Sequence, residues 1–216
     1  MITSALKSQK RSLRRTVSSL LTTLTPHDIQ SQSRAIAKNV ESLLPFRQCR
    51  AVSCYLSMPS GEVDTSFIVS SVLASGKSLY VPKIDKLTPG RMDILRVYDS
   101  DDLSSLPPGT WGIREPDVSR NGELRQSVLD DDCDDLDVIL VPGVAFDHAL
   151  SRLGHGKGYY DRFISSYVAS GRKRPVLVAL ALREQILASE IVPMGEHDWA
   201  MDYIVGPDGV ITRGDV

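Results

Sequence analysis

The chain has 216 residues, 42% of them hydrophobic, enough for one large domain or two small ones with a packed core. Its formal net charge of -2 supplies no global basic field for nucleic acid, and its longest apolar runs, such as Val176–Leu182, are far too short to span a bilayer. Cys49, Cys54 and Cys133 form no CxxC pair and are odd in number, which argues against a disulfide framework and a zinc site and for a reducing compartment.

Residues 1–27 carry no acid but hold Lys7, Lys10, Arg11, Arg14 and Arg15 among many serines and threonines, a composition similar to a mitochondrial presequence. Within them Leu13, Val17, Leu20, Leu21 and Leu24 recur at helical spacing, which predicts an amphipathic helix over residues 4–24. Lys7, Lys10 and Arg14 fall along one flank of its apolar stripe, able to reach over the packed face. Thr25-Pro26 starts a second helix: threonine caps, proline suits the first helical position and Asp28 suits the positive end. Its stripe is Ile29, Ile36, Val40, Leu43 and Leu44, and Pro45 stops it. Strand Ala51–Leu56 follows, then helix Thr65–Ala74 ended by Gly76, with Asp64 as an N-cap, and strands Ser78–Val81 and Asp93–Tyr98. Residues 99–126, rich in proline, glycine and charge, read as a long loop, and Asp130–Asp137 as a solvated approach to strand Leu136–Val141. Helix Tyr159–Ala169, strand Val176–Ala181 and a hairpin of Tyr203–Val205 with Val210–Thr212 complete the chain. Alternating strands and helices predict a single α/β domain with a mostly parallel sheet covered on both faces. Ligands then bind in the loops after Leu56, Val81, Val141 and Ala181, at the C-terminal ends of the strands.

One of those ends leads to Arg152-Leu153-Gly154-His155-Gly156-Lys157-Gly158-Tyr159-Tyr160-Asp161-Arg162. Glycines let backbone N–H groups approach an anion, and the lysine adds a mobile charge. The run lacks the hydroxyl that a Walker A loop places after its lysine, and its glycines lack the dinucleotide-fingerprint spacing. It reads instead as a phosphate cradle at a helix N-terminus, with N–H groups of Gly156–Tyr160 around the anion and Asp161 placed to hold Mg2+.

Val141-Pro142-Gly143-Val144-Ala145-Phe146-Asp147 followed by Arg152 to Asp161 resembles the signature of the 5-formyltetrahydrofolate cyclo-ligase family, and the likeness extends over nearly the whole chain. Two departures stand out: His148-Ala149-Leu150-Ser151 replaces a stretch where the family usually has a glycine, and His155 stands where several members have arginine. Lys10, Arg11, Ser12, Leu13 and Arg14 match the family's N-terminal nucleotide-binding segment. Tyr55 to Thr65 resembles its folate-side loop, with Leu56 and Met58 as apolar surface for a pterin and Glu62 as hydrogen-bond acceptor. Trp111-Gly112-Ile113-Arg114-Glu115-Pro116 resembles a segment bordering the substrate pocket, Lys83 ends a strand on the same side, and Asp198 matches a magnesium-binding position; neighbouring His197 reads as structural.

The resemblance implies a three-layer α/β/α fold similar to ribose-5-phosphate isomerase and glucosamine-6-phosphate deaminase, with residues 1–45 as a helical pair on the core. It implies ATP- and Mg2+-dependent cyclisation of 5-formyltetrahydrofolate to 5,10-methenyltetrahydrofolate, through attack of the formyl oxygen on the γ-phosphate. By the same resemblance ATP is held by residues 10–14 and by Arg152, Leu153, Gly154, His155, Gly156, Lys157, Gly158, Tyr159 and Tyr160. The folate, in mono- or polyglutamyl form, is held by Leu56, Met58, Glu62, Trp111, and His155 through Tyr159; Arg152 and Lys157 are catalytic, and Asp161 and Asp198 hold the metal. A cytoplasmic monomer without nucleic-acid or membrane partners is expected, with the mitochondrion as the alternative compartment. Two other functions compete: a sugar-phosphate isomerase of similar fold, which needs neither ATP nor a basic N-terminal helix, and a non-catalytic folate- or nucleotide-binding relative.

Overall fold

The computed structural model describes residues 4–58, 60–85, 87–109 and 112–214. The two apolar stripes form α1 (Ser4–Leu21) and α2 (Pro26–Ser42). α1 ends before the predicted residue 24, because Thr22 and Thr23 turn their hydroxyls back to the carbonyls of Ser19 and Leu20, both at 2.7 Å. α2 opens on a capping box, in which the Thr25 hydroxyl accepts the Asp28 N–H and the Asp28 carboxylate accepts the Thr25 N–H. Pro45 does not end this helix; it sits in the first turn of a separate one, α3 (Leu44–Gln48), where its missing N–H is harmless.

In chain order there follow β1 (Ala51–Ser53), α4 (Ser66–Ala74), β2 (Ser78–Ile84), β3 (Met92–Val97) and α5 (Ser100–Ser105), then the short β4 (Ser119–Arg120) and β5 (Glu123–Leu124). Next come β6 (Val138–Val141), β7 (Ala145–Asp147), β8 (Arg152–Leu153), α6 (Tyr159–Ala169), β9 (Val176–Leu180), β10 (Ile186–Leu187), β11 (Tyr203–Gly206) and β12 (Gly209–Ile211). The main sheet has the order β12-β11-β9-β6-β1-β2-β3. Its inner strands β11, β9, β6, β1 and β2 are parallel, and β12 and β3 pair antiparallel at the two edges. A second sheet, β10-β7-β8, lies beside it.

The period of two along each strand divides the core. On β6, Val138 and Leu140 join Ile36, Val40, Ile68 and Val72 of α2 and α4, while Ile139 and Val141 join Phe163, Ile164 and Tyr167 of α6 on the other face. Both faces are therefore covered, as parallel strands require. Helix-free residues 99–126 were the expectation. The structure instead contains α5 and the β4–β5 hairpin there, whose Asn121-Gly122 turn has φ 53° and 86°. The acidic run is exposed at Asp130, Asp131, Asp132, Asp134 and Asp135, as expected, with Asp135 paired to Arg172; the half-buried Asp137 accepts the N–H groups of Arg50 and Ala51 at the start of β1. No helix among the described residues is long and apolar enough to cross a membrane.

Candidate active site

At the C-terminal ends of the parallel strands lies a cavity of about 810 Å³, walled by α1, the segment after β1, the β2–β3 hairpin, the glycine run and Asp198. α1 brings Lys7, Lys10 and Arg14 to it, because residues three and four apart share a helix face. Lys10 is buried and ion-pairs with Asp198. Arg14 Nε donates to the Gly154 carbonyl at 2.7 Å. Burial pulls the Arg14 guanidinium below its usual range, and the charge of Asp198 opposes that shift. The rest of the predicted N-terminal segment turns elsewhere: Arg11 and Ser12 are exposed and Leu13 packs on the core. Leu153 is likewise a core residue rather than part of the cavity lining.

The glycine run is delivered by the small sheet. β7 and β8 are joined by a tight turn in which Leu150 takes φ 64° at the position lacking the family's glycine. The fully buried Asp147 organises that turn, accepting the N–H groups of Ala149, Ser151 and Val192 at 3.0, 3.1 and 2.8 Å. β8 then places Arg152 in the cavity wall, where it donates to Asp161 at 2.7 Å from the second guanidinium nitrogen. Each glycine of the run lies under a guanidinium. A Cβ would come within 2.9 Å of Arg152 at Gly154, 3.3 Å of Arg14 at Gly156 and 2.8 Å of Arg162 at Gly158. Among the described residues the N–H groups of Gly156, Lys157, Gly158 and Tyr159 donate to no backbone carbonyl, and the exposed Lys157 ammonium has no partner. The loop thus presents unpaired donors, a free ammonium and the positive end of α6 to the cavity.

Asp161 and Asp198 stand on one wall. Asp161 Oδ1 accepts from Arg152 and from the N–H of Trp199, the residue after Asp198. Asp198 Oδ2 accepts from Lys10 and from the Gly195 N–H. One oxygen of each carboxylate is left over, a hard-donor pair of the kind that holds Mg2+ together with phosphate oxygens and water. No cluster of three or more His, Cys, Asp or Glu occurs among the described residues, and Glu196 and His197 are exposed and outside the lining.

The rest of the cavity lining is largely apolar: Tyr55, Leu56, Met58, Val81, Pro82, Ile84 and Met92 contribute to it. Glu62, also in the lining, is buried; one oxygen accepts the Met58 N–H at 3.0 Å and the other lies 3.9 Å from His155 Nε2. Thr65 rather than Asp64 is the N-cap of α4; Asp64, one residue earlier, accepts the Ser66 N–H at 2.9 Å. The hydroxyls of Tyr55 and Tyr160 are buried and make no hydrogen bond among the described residues. Burial pushes both phenols well above the usual tyrosine range, with the charge of Glu62 acting in the same direction, so both remain protonated. Lys83 is absent from the lining, which takes Val81, Pro82 and Ile84 from that strand. Trp111 lies outside the described residues. The sequence reading did not single out Tyr55, Ile84, Met92 or Arg162, which also line the cavity; Ile113, Arg114 and the buried Glu115, from the segment expected to border it, line it too. The continuation of β2 to Ile84 was the missed cue for two of them, since it sets Ile84 opposite Met92.

Fold and cavity together define an α/β protein in which a loop of unpaired N–H donors and cationic side chains shares one cavity with an apolar surface. The chain belongs to the 5-formyltetrahydrofolate cyclo-ligase family, a family of enzymes, which it matches over residues 6–207. A Schizosaccharomyces pombe protein described as a probable 5-formyltetrahydrofolate cyclo-ligase is 39% identical, over 95% of this chain and 98% of its own. The Saccharomyces cerevisiae 5-formyltetrahydrofolate cyclo-ligase is 34% identical, over 94% of this chain and 97% of its own. Among solved structures, the 5,10-methenyltetrahydrofolate synthetase of Aquifex aeolicus superposes with a TM-score of 0.72 at 29% identity, covering 96% of this chain and 94% of that one.

Proposed function

We propose that this chain cyclises 5-formyltetrahydrofolate to 5,10-methenyltetrahydrofolate with consumption of ATP. The observation that carries the reading is that one cavity joins the cations of α1 and the open glycine loop to the apolar slot around Leu56, Met58 and Glu62. The triphosphate lies along Gly154–Gly158, with its charge met by Lys10, Arg14, Arg152 and Lys157, and the pterin lies in the slot with Glu62 as acceptor. Phosphoryl transfer depends mostly on positioning and charge neutralisation, and the wall supplies both. The formyl oxygen attacks the γ-phosphorus and ADP leaves. The nitrogen at position 10 then attacks the activated formyl carbon and loses its proton, and inorganic phosphate departs with the former formyl oxygen, taking up that proton. Asp161 and Asp198 would hold Mg2+ by their free oxygens, and the ion would neutralise charge on the phosphates. The formyl oxygen is itself the nucleophile, so no side-chain nucleophile is required.

A sugar-phosphate isomerase would use a carboxylate base beside one phosphate. Of the carboxylates beside the glycine loop, Asp161 and Asp198 are each engaged by a cation, and Glu62 is held by the Met58 N–H with His155 3.9 Å from its other oxygen, which disfavours that chemistry. Lys10 and Arg14 belong to the cavity wall, so the basic segment of residues 1–27 is not itself a removable presequence. The deciding experiment incubates the protein with 5-formyltetrahydrofolate and Mg2+, with and without ATP, and follows the near-ultraviolet band of the methenyl product. Product only with ATP is expected; product without ATP, or none, overturns the reading. Conversion of ribose 5-phosphate to ribulose 5-phosphate would establish the isomerase instead.

A further inference from the structure

Arg162 has no role in the reaction described above, yet it touches both edges of the cavity. It sits in the first turn of α6. Its Nε donates to the Gly90 carbonyl at 2.9 Å, and one terminal nitrogen donates to the Lys157 carbonyl. The other lies over Gly158, and the guanidinium carbon is 5.8 Å from the centroid of the Tyr159 ring. Gly90 belongs to the β2–β3 turn, which Asp85 organises from within by accepting the N–H groups of Leu87 and Thr88 at 2.8 and 3.1 Å. The strands leaving that turn carry Ile84 and Met92 into the apolar slot. A single guanidinium therefore bridges the anion-receiving loop and the hairpin of the slot, which are 72 residues apart in the chain at its Gly90 contact.

The backbone chemistry gives this bridge a direction. In a trans peptide the carbonyl and the following N–H point opposite ways. Holding the Lys157 carbonyl on Arg162 thus turns the Gly158 N–H away from Arg162, unpaired and available to an anion. We infer that Arg162 is a positioning residue: it fixes the Lys157–Gly158 peptide in its anion-receiving orientation and docks the loop against the β2–β3 turn. Gly90 is its counterpart. It has φ 85°, and a Cβ there would come within 2.7 Å of the guanidinium. The inference rests on the reading of the cavity as the site for a triphosphate and a folate.

Calorimetric titration of inorganic tripolyphosphate into the full chain reads the loop without turnover. Arg162→Ala is expected to bind about tenfold more weakly than wild type, the order expected for one lost charge-assisted hydrogen bond. Arg162→Lys, which can restore one of the two bonds, should recover part of the loss. Gly90→Ala, which displaces the guanidinium, should weaken binding with Arg162 present, and the double variant should be no weaker than Arg162→Ala alone, because Gly90 acts only through Arg162. In turnover the same variants should raise the KM for ATP more than they lower kcat. Because Arg162 is exposed, its variants should keep the wild-type melting temperature. Wild-type affinity in Arg162→Ala, multiplying effects in the double variant, or no tripolyphosphate binding by wild type would each overturn the inference. Arg162-dependent binding without cyclisation would instead uphold the positioning role and defeat the proposed reaction, which keeps the two failures distinct.

Discussion

Leu150 shows how a single side chain sustains a backbone conformation that its chemistry disfavours. Its φ of 64° lies in the left-handed region, which costs a residue with a Cβ about 1–2 kcal/mol. Its side chain is 3% exposed and packs in the core under α6, where truncating a leucine costs about 2–5 kcal/mol. The second quantity outweighs the first. Leu150→Gly should therefore lower stability by about 1–3 kcal/mol despite relieving the strain, seen as a lower urea midpoint at unchanged slope. A variant more stable than wild type would show that strain dominates. The absent glycine was visible in the sequence. That leucine would adopt the glycine conformation was not, because the compensating burial comes from residues far along the chain. Lys83 illustrates the converse: proximity to a strand end suggested the cavity, but the lining draws on its neighbours Pro82 and Ile84.

Among the elements, the segment between β3 and β6 departs most from its sequence pattern. Proline, glycine and charge there suggested an open loop, yet the charges are what order it. Asp99 caps α5 by accepting the Asp102 N–H at 2.7 Å. The fully buried Asp102 carboxylate receives two guanidinium bonds from Arg125, at 2.7 and 2.6 Å, with Arg120 at 3.2 Å. Burial works to raise the Asp102 pKa, but the Arg125 hydrogen bonds, the Tyr98 N–H and the two positive charges outweigh it, and the net direction is down. A carboxyl depressed in the folded state adds stability above its unfolded pKa of about 4, and loses it as pH falls toward the folded value. Arg125→Ala leaves a buried carboxylate short of its main partner and should cost about 3–5 kcal/mol at pH 7. Denaturation at pH 7 and at pH 3 checks this: the gap from wild type should narrow in acid, and a pH-independent gap would refute the ion-pair account. The Asn121-Gly122 dipeptide was the legible sign of the β4–β5 hairpin. The pairing of Asp102 with Arg125 carries no local pattern.

At the scale of the whole molecule, the cavity carries cationic and apolar side chains whose roles different substitutions should separate. Arg14 holds the Gly154 carbonyl and stands 3.3 Å from where a Cβ on Gly156 would lie. Glu62 stands against Met58. Arg14→Ala should raise the KM for ATP by on the order of tenfold with a smaller change for the folate. Glu62→Ala should reverse that pattern. Steady-state kinetics with each substrate varied in turn distinguishes them, and equal effects on both would mean that the cavity does not divide its ligands in this way.

The sequence by itself determined the periodic elements, the capping of α2, the open glycine run before α6 and the family resemblance, because these depend on neighbours within a few residues or on a contiguous motif. Helix α6 begins and ends where its pattern says, and Lys10 and Arg14 meet the glycine run as the flank of α1 suggested. Only the tertiary structure decided that Arg11 and Ser12 face away, that Tyr55, Ile84 and Met92 build the slot, and that Asp161 and Asp198 each offer one free oxygen beside a bound cation. Those outcomes depend on which side chains meet along the chain, from the Arg152–Asp161 pair with a separation of 9 to the Lys10–Asp198 pair with a separation of 188. Such pairings are set by the order of strands in the sheet and by which face of each element is buried. Local spacing cannot encode them, since the same pattern fits several arrangements until the core is closed.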